Sequence, residues 1–491
     1  MDDHSRKLPS PLLSVIPLAV MVTLLFFTIR VFGSDALSGG SQVVLLVSAA
    51  VCVFTGMVFC RVKWKDIEAA IANNILGIAT AIIILLLIGA LSGTWMISGV
   101  VPTLIYYGMQ IIHPDFFLVS TCVICSIVSV VTGSSWTTVA TIGIALMGIG
   151  QAQGFSDGWI AGAVISGAYF GDKISPLSDT TILAASVSET PLFTHIRYMM
   201  YTTVPSMLIT LTIFTVAGLT HEGAGMEQMA VFSAVLGEHF NISLWLLMVP
   251  AVTAVLIARR VPPLITLFVS AATAAVFAVF FQPELLQEVS GAAEQGALSA
   301  FKGAFISFYG STQIETGNEA LNSLVSTRGM GGMLDTIWLI LCAMCFGGAM
   351  AGSRMLESIA TVFTRLAKRR TGIVSSTVAS GLFMNICTAD QYISIILTGN
   401  IFKDIYKKNG YESRLLSRTT EDSVTVTSVL VPWNTCGMTQ AAVLGVATFA
   451  YLPYCFFNLI SPLMSILMAA TGYSIKQTQQ PEAPKDPKES S

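Results

Sequence analysis

Charge is what this sequence has least of. Only 11% of its 491 residues are Asp, Glu, Lys or Arg, against about 25% in soluble domains. With 54% hydrophobic residues and apolar runs of roughly 20 residues recurring along its length, the chain reads as a polytopic membrane protein. The net charge of −3 is spread over loops. With no basic face, nothing suggests a nucleic-acid partner. No GxxxxGK[ST] stretch occurs, so the sequence offers no phosphate loop for ATP. Histidine is scarce, and His4, His113, His195, His221 and His239 all fall at expected membrane edges or loops. Of nine cysteines, Cys122/Cys125 and Cys342/Cys345 have CxxC spacing. Both pairs lie inside apolar runs without a third ligand, where cysteine acts as a small hydrophobe. No cofactor is expected. The first apolar run, Pro11 to Phe32, lacks a small-residue cleavage site and reads as an anchor. Residues 476–491 are polar and proline-rich, a composition that favours a disordered tail.

What is present repeats. Pro17 answers Pro250, and "LLIGALSGTW" (86–95) answers "MCFGGAMAGS" (344–353). "VVTGSSWTT" (130–138) answers "NICTADQYI" (385–393), "YFGDKISP" (169–176) answers "TTEDSVTV" (419–426), and "YTTVPSML" (201–208) answers "NLISPLMS" (458–465). Positive residues favour the cytoplasm. Arg6 and Lys7 therefore place the N-terminus inside, as do Arg61, Lys63 and Lys65 for the end of the second span. Residues 99–112 are expected to lie as a helix on the outer face. Residues 373–402 form two short apolar pieces meeting at "TADQY" between basic flanks, which calls for a re-entrant hairpin turning at Ala389–Asp390. Residues 116–150, meeting at "TGSSW", are its counterpart. The expected fold is all-α, with two inverted-topology repeats. Each has about five transmembrane helices, a re-entrant hairpin and a broken helix. Residues 1–220 form the first repeat, 221–243 an external linker, 244–475 the second repeat and 476–491 a cytoplasmic tail. Inverted repeats with discontinuous helices are typical of secondary transporters.

The charges inside the membrane are few and clustered. "GAYFGDKISPLSDTTIL" (167–183) puts Asp172, Lys173, Asp179 and a helix-breaking Pro176 in one apolar span. An acid at that depth costs about 2.5–3.5 kcal/mol on insertion scales and is a functional candidate by default. Asp172, Asp179, Asp390 and Asp422 are the expected sites of ion binding and proton exchange. Hydroxyls and amides gather beside them for coordination: Thr132, Ser134, Ser135, Thr137, Ser175, Ser178 and Thr180 in the first half; Thr388, Thr425, Thr427 and Asn434 in the second. Such hard oxygen ligands suit an alkali cation, and a carboxylate withdrawn from water gains affinity for a proton. One site that holds either ion, open to one side at a time, is an exchanger.

Structural readings stand beside each of these. Lys173 is either an ion-pair partner of Asp172, a filler of the emptied cation site, or the anchor of an organic acid. It is the only basic residue expected at depth. Glu421 and Asp422 have a solvated position at the inner edge as their alternative. Any single hydroxyl can bond its own helix backbone, and Trp136, Tyr392 and Trp433 serve as packing residues or as gates. An intramembrane aspartyl protease built on Asp172 and Asp390, and a channel, are the rival classes.

The stretches "TGSSWTTVATIGIALMGIG", "GAYFGDKISPLSDTTILAAS", "NICTADQYISIILTGNIF" and "SRTTEDSVTVTSVLVPWNTCG" together resemble the NhaC family of sodium–proton antiporters, over roughly residues 10–475. The resemblance implies a proton-driven sodium exporter of the cytoplasmic membrane, multi-pass, with both termini inside. Its partners are then sodium, protons and lipid, with a homodimer open. Related members exchange malate for lactate, which makes a sodium- and proton-coupled organic-acid exchanger the alternative. By motif the resemblance concerns Asp172, Asp179, Asp390 and Asp422.

Overall fold

A computed structural model describes residues 8–32, 39–221, 226–314, 322 and 325–475. The tail assigned to 476–491 lies outside them. The described chain is nearly all helix. Seven of its helices are long and apolar enough to cross a membrane, or up to nine when bent pairs are counted as single spans. The helix faces turned away from the protein are themselves apolar: Phe26, Phe54, Leu208 and Phe280 are all more than half exposed. Soluble domains do not present a surface of this kind. Lipid accommodates it.

The first two expected spans fall on Pro11–Phe32 and Gly40–Phe59. The third is longer than expected. Trp64–Gly77 and Ala79–Ile97 follow one another with a bend at Ile78. Residues 99–112 contain the expected helix, Val100–Ile111, entered through the left-handed Gly99. One face of it is fully buried, with Val100, Val101 and Ile105 in the core. Three helices escaped the sequence reading. Within the proposed linker, Met226–His239 is helical and buries Phe232 and Leu236. Pro283–Ser290 and Ala297–Tyr309 fold between the spans of the second half.

Contacts sort the connecting segments into two ends. At one, Gln153 donates to the Ile112 carbonyl at 2.7 Å, Gln282 donates to the Asn241 carbonyl at 3.1 Å, and His221 stacks on Phe155 at 3.8 Å. At the other, Ser358 donates to the Pro9 carbonyl at 2.6 Å. Lys403 pairs with Glu189 at 2.6 Å, and Arg370 donates to the Ala469 carbonyl at 2.7 Å. Leu192–Leu219 joins the two ends, and its 28 residues give a length of about 42 Å.

Two hairpins enter this body. Phe117–Thr132 and the run Ser135–Ala152 meet at Gly133–Ser134. Both arms return to the Gln153 end. Arg370–Thr388 and Gln391–Lys408 meet at Ala389–Asp390, and both return to the Lys403 end. The second hairpin's arms are 19 and 18 residues long, longer than the expected 15 and 12. Basic residues at Arg370 and at Lys403–Lys408 extend each helix beyond its apolar part. Shortness therefore does not force re-entry; the buried tip, with Thr388, Ala389 and Asp390 all under 5% exposed, is what separates this hairpin from two ordinary spans.

Each hairpin grips a broken helix. The first is Asp157–Ile174 followed by Asp179–Val187, interrupted at Ser175–Ser178 as expected. A Cβ on Gly167 would sit 2.2 Å from the Cys122 carbonyl oxygen, so only glycine allows this approach. The second broken helix is Ser413–Thr420, a π turn at Glu421–Thr425, and Thr435–Leu444. Its interruption lies at Val431–Asn434, around Pro432, and not at "TTEDSV" as expected. That stretch remains helical, widened by the π turn.

Candidate ion-exchange site

The four interruptions bring four helix starts into the interior. Each start carries a polar cap, as an orphaned N-terminal N–H requires. The Ser134 hydroxyl accepts from Thr137 N at 3.2 Å and the Ser178 hydroxyl from Thr181 N at 3.3 Å. Asp390 accepts from Ile393 N at 2.9 Å and Asn434 from Cys436 N at 3.1 Å. Four of the sequence candidates thus shape the breaks.

Asp172 lies one turn before the first break, 5% exposed. Its Oδ2 accepts from both the backbone N (3.1 Å) and the hydroxyl (2.7 Å) of Ser135, at the tip of the first hairpin. Its Oδ1 is enclosed and has no hydrogen-bond partner. Tyr169, three residues earlier on the same helix face, has an equally unpartnered, buried hydroxyl. A carboxylate half satisfied in the interior is costly unless a proton or cation completes it. Asp172 has the geometry of an exchanging group.

Asp179 differs. It is exposed, and its Oδ2 accepts from the Tyr392 hydroxyl at 2.8 Å. This bond ties the first broken helix to the second hairpin. Asp390 is 4% exposed and fully engaged, since beyond its cap its Oδ2 accepts from the Thr435 hydroxyl at 3.2 Å.

Lys173 does not pair with the neighbouring Asp172. Consecutive helical residues face different directions. Lys173 is fully buried and donates to Asp422, with a second bond to Ser461 at 3.0 Å. The Thr202 hydroxyl donates to the same Asp422 oxygen at 3.0 Å. Nor is Lys173 the only deep cation. Arg418 is fully buried, 3.9 Å from Asp422 Oδ2 and 4.6 Å from the face of Tyr198. No nitrogen of its guanidinium makes a hydrogen bond. Glu421 and Asp422 have zero exposure, not the solvated edge position weighed for them. Glu421 meets Thr181 at 3.5 Å through one oxygen and nothing through the other. Two acids and two bases thus lie together, all four fully buried.

Most candidate hydroxyls hold the frame. Thr132 braces the first turn through Ser134 and Thr138, Thr137 bonds the Ser134 hydroxyl, and Ser175 donates to the Val130 carbonyl at 2.8 Å. Thr180 bonds Ser178 at 3.0 Å, and Thr388 braces the second turn through Asp390 and Ser394. Thr427 donates to the Ser423 carbonyl and accepts from Asn385 at 3.1 Å, and Asn434 donates to the Asn385 carbonyl at 3.1 Å. Thr425 is the exception. Its hydroxyl is buried and unpartnered. Sequence reasoning missed Arg418, Thr202, Ser461 and Thr435. Only Arg418 left a trace, its i,i+4 spacing to Asp422. Among the described residues no group of His, Cys, Asp and Glu has the make-up of a metal centre.

The sequence profile of the Na+/H+ antiporter family matches residues 4–182 and 167–473. The Na(+)/H(+) antiporter NhaC of Alkalihalophilus pseudofirmus is 37% identical, covering 87% of this chain and 90% of its own length. NhaC of Bacillus subtilis is 35% identical, covering 82% and 87%. The Malate-2H(+)/Na(+)-lactate antiporter of Bacillus subtilis is 36% identical, covering 89% and 91%. The chain belongs to the Na+/H+ antiporter family.

Proposed function

We propose that this chain exchanges sodium for protons across the cytoplasmic membrane by alternating access, with both termini in the cytoplasm. The single observation that carries this reading is Asp172: buried, held through one oxygen by the hairpin tip, and without a hydrogen-bond partner at the other. A proton on Asp172 and a sodium ion beside it are alternatives. Each neutralises the carboxylate, and a neutral site crosses a low-dielectric barrier at the lowest cost. Residues 1–220 and 244–475 act as inverted repeats, a reading supported by hairpins that open at opposite ends. Asp390 and Asp179 complete the set, the first setting the second hairpin tip and the second latching it to the first broken helix through Tyr392. Asp422, bound to Lys173, acts in support. Sodium, protons and lipid are the partners, and the cycle moves ions without converting a substrate chemically.

The reading is tested in proteoliposomes. An outward-directed proton gradient should drive sodium above its external concentration. Dissipation without accumulation indicates a channel instead.

A second reading keeps the cycle and adds an organic acid to the cargo. Arg418 favours it. Five N–H donors in a planar fork match a carboxylate, and none is hydrogen-bonded within the chain. The relative named for malate and lactate points the same way. Counterflow of labelled malate and lactate tests it, with dependence on Arg418 as the expected sign.

A further inference from the structure

The Lys173 ammonium lies in a cradle of oxygens. Its neighbours are hard oxygens from two elements, Asp422 Oδ1 on the π turn and the Ser461 hydroxyl on Phe456–Thr471. The Thr202 hydroxyl, on Leu192–Leu219, joins at 3.0 Å from the same Asp422 oxygen. Carboxylate and hydroxyl oxygens are alkali-cation donors. Here one of each holds a primary ammonium, a point charge on a flexible stem, and the Thr202 hydroxyl braces the same carboxylate.

The pairing gives this placement a consequence. Among the described residues Lys173 is the one cation hydrogen-bonded to Asp422; Arg418 stands 3.9 Å from the other carboxylate oxygen and makes no hydrogen bond. Without the lysine charge the buried Asp422 oxygen loses its bonded cation, and an unpaired charge in the interior is expensive. A cation from solution would replace it at the same oxygens.

We propose that the Asp422, Ser461 and Thr202 oxygens form a second sodium site, which this chain fills permanently with Lys173. The lysine limits exchangeable sodium to the Asp172 site and so sets the number of ions moved per cycle. This rests on the sodium–proton reading above and adds to it the stoichiometry.

The test is a count of bound sodium on the purified full chain by equilibrium binding of labelled sodium. K173M should bind one more sodium per chain than wild type. K173R, which keeps the charge, should bind the wild-type number, and K173M/D422N should lose the extra ion. An unchanged count in K173M, or an extra ion that survives in K173M/D422N, overturns the proposal. If K173M does not survive purification, K173Q carries the test: without the charge it should also bind one more sodium than wild type, and an unchanged count overturns the proposal. A wild-type protein that binds no sodium defeats the antiport reading itself, a result distinct from any of these.

Discussion

Thr132 and Thr388 make the same bonds at the tips of the two hairpins. Each hydroxyl accepts from the backbone N–H two residues on, Ser134 and Asp390, at 3.2 Å. Each also bonds the hydroxyl six residues on, Thr138 at 3.2 Å and Ser394 at 2.7 Å. The recurrence extends to the helices they grip. Ser129 donates to the Ala168 carbonyl and Asn385 to the Val424 carbonyl, both across 39 residues. Gly133 and Ala389 take the left-handed turn between the arms, at φ 66° and 58°. Where the two tips differ is chemical. The first presents Ser134 and Ser135, the second Asp390 and Gln391. The first tip therefore borrows its carboxylate, Asp172, from the broken helix.

Ser135 holds Asp172 through its hydroxyl as well as its N–H. S135A should lower apparent sodium affinity about 10-fold, the worth of one hydrogen bond to a charged group, and leave the maximal rate near wild type. Sodium titration of exchange in proteoliposomes checks this. A mutant with unchanged affinity removes Ser135 from the site.

Asp390 is both a helix cap and a candidate for exchange, and one substitution separates the two roles. Asn caps a helix as well as Asp does, so D390N should retain the thermal midpoint of wild type. Sodium exchange should be lost all the same. Full exchange in a stable D390N protein reduces Asp390 to its cap.

Gly167 lets the first broken helix approach the first hairpin. G167A forces a shift against the Cys122 carbonyl and should destabilise the protein by roughly 1–3 kcal/mol. The expected sign is a lower melting midpoint in detergent, relieved by no change in salt. In the second half of the chain the close approach is made by Gly381 to the side chains of Val424 and Ser423, 2.7 and 2.9 Å from an added Cβ, with the glycine on the hairpin instead. Side chains yield more readily than a backbone carbonyl, so G381A should cost less than G167A.

Glu189, in the loop before Leu192, is held below the usual carboxylate range by its hydrogen bond to Lys403. A depressed group contributes its stability above its unfolded value, roughly pH 4.3, and loses it only as pH falls through the lower folded value. The bridge is therefore complete throughout the neutral range, and being exposed it contributes little. E189Q should leave the pH profile of exchange unmoved. A displaced profile assigns Glu189 to the proton path.

The sequence carried the frame further than the site. Thr132–Ser135 and Thr388–Gln391 were legible because polar residues interrupt long apolar runs there, and interruption has few other uses in a membrane. The break at Pro432 was missed because it is embedded in apolar "VLVPW", while the charges of "TTED" drew attention to a stretch that stays helical. The pairing of Lys173 was beyond reach. Its carboxylate is 249 residues away, and only tertiary packing decides which of several acids it meets. Arg418 was not singled out, because in sequence it only continues a run of basic residues with Lys407, Lys408 and Arg414. The helix start at Ser413 instead carries it inward.

The central claim is that Asp172 exchanges sodium for a proton. The direct measurement is sodium accumulation in proteoliposomes under an imposed pH gradient, wild type beside D172N. Wild type should concentrate sodium, and D172N should fall to the level of empty vesicles while keeping its melting midpoint. Accumulation by D172N at the wild-type rate contradicts the account.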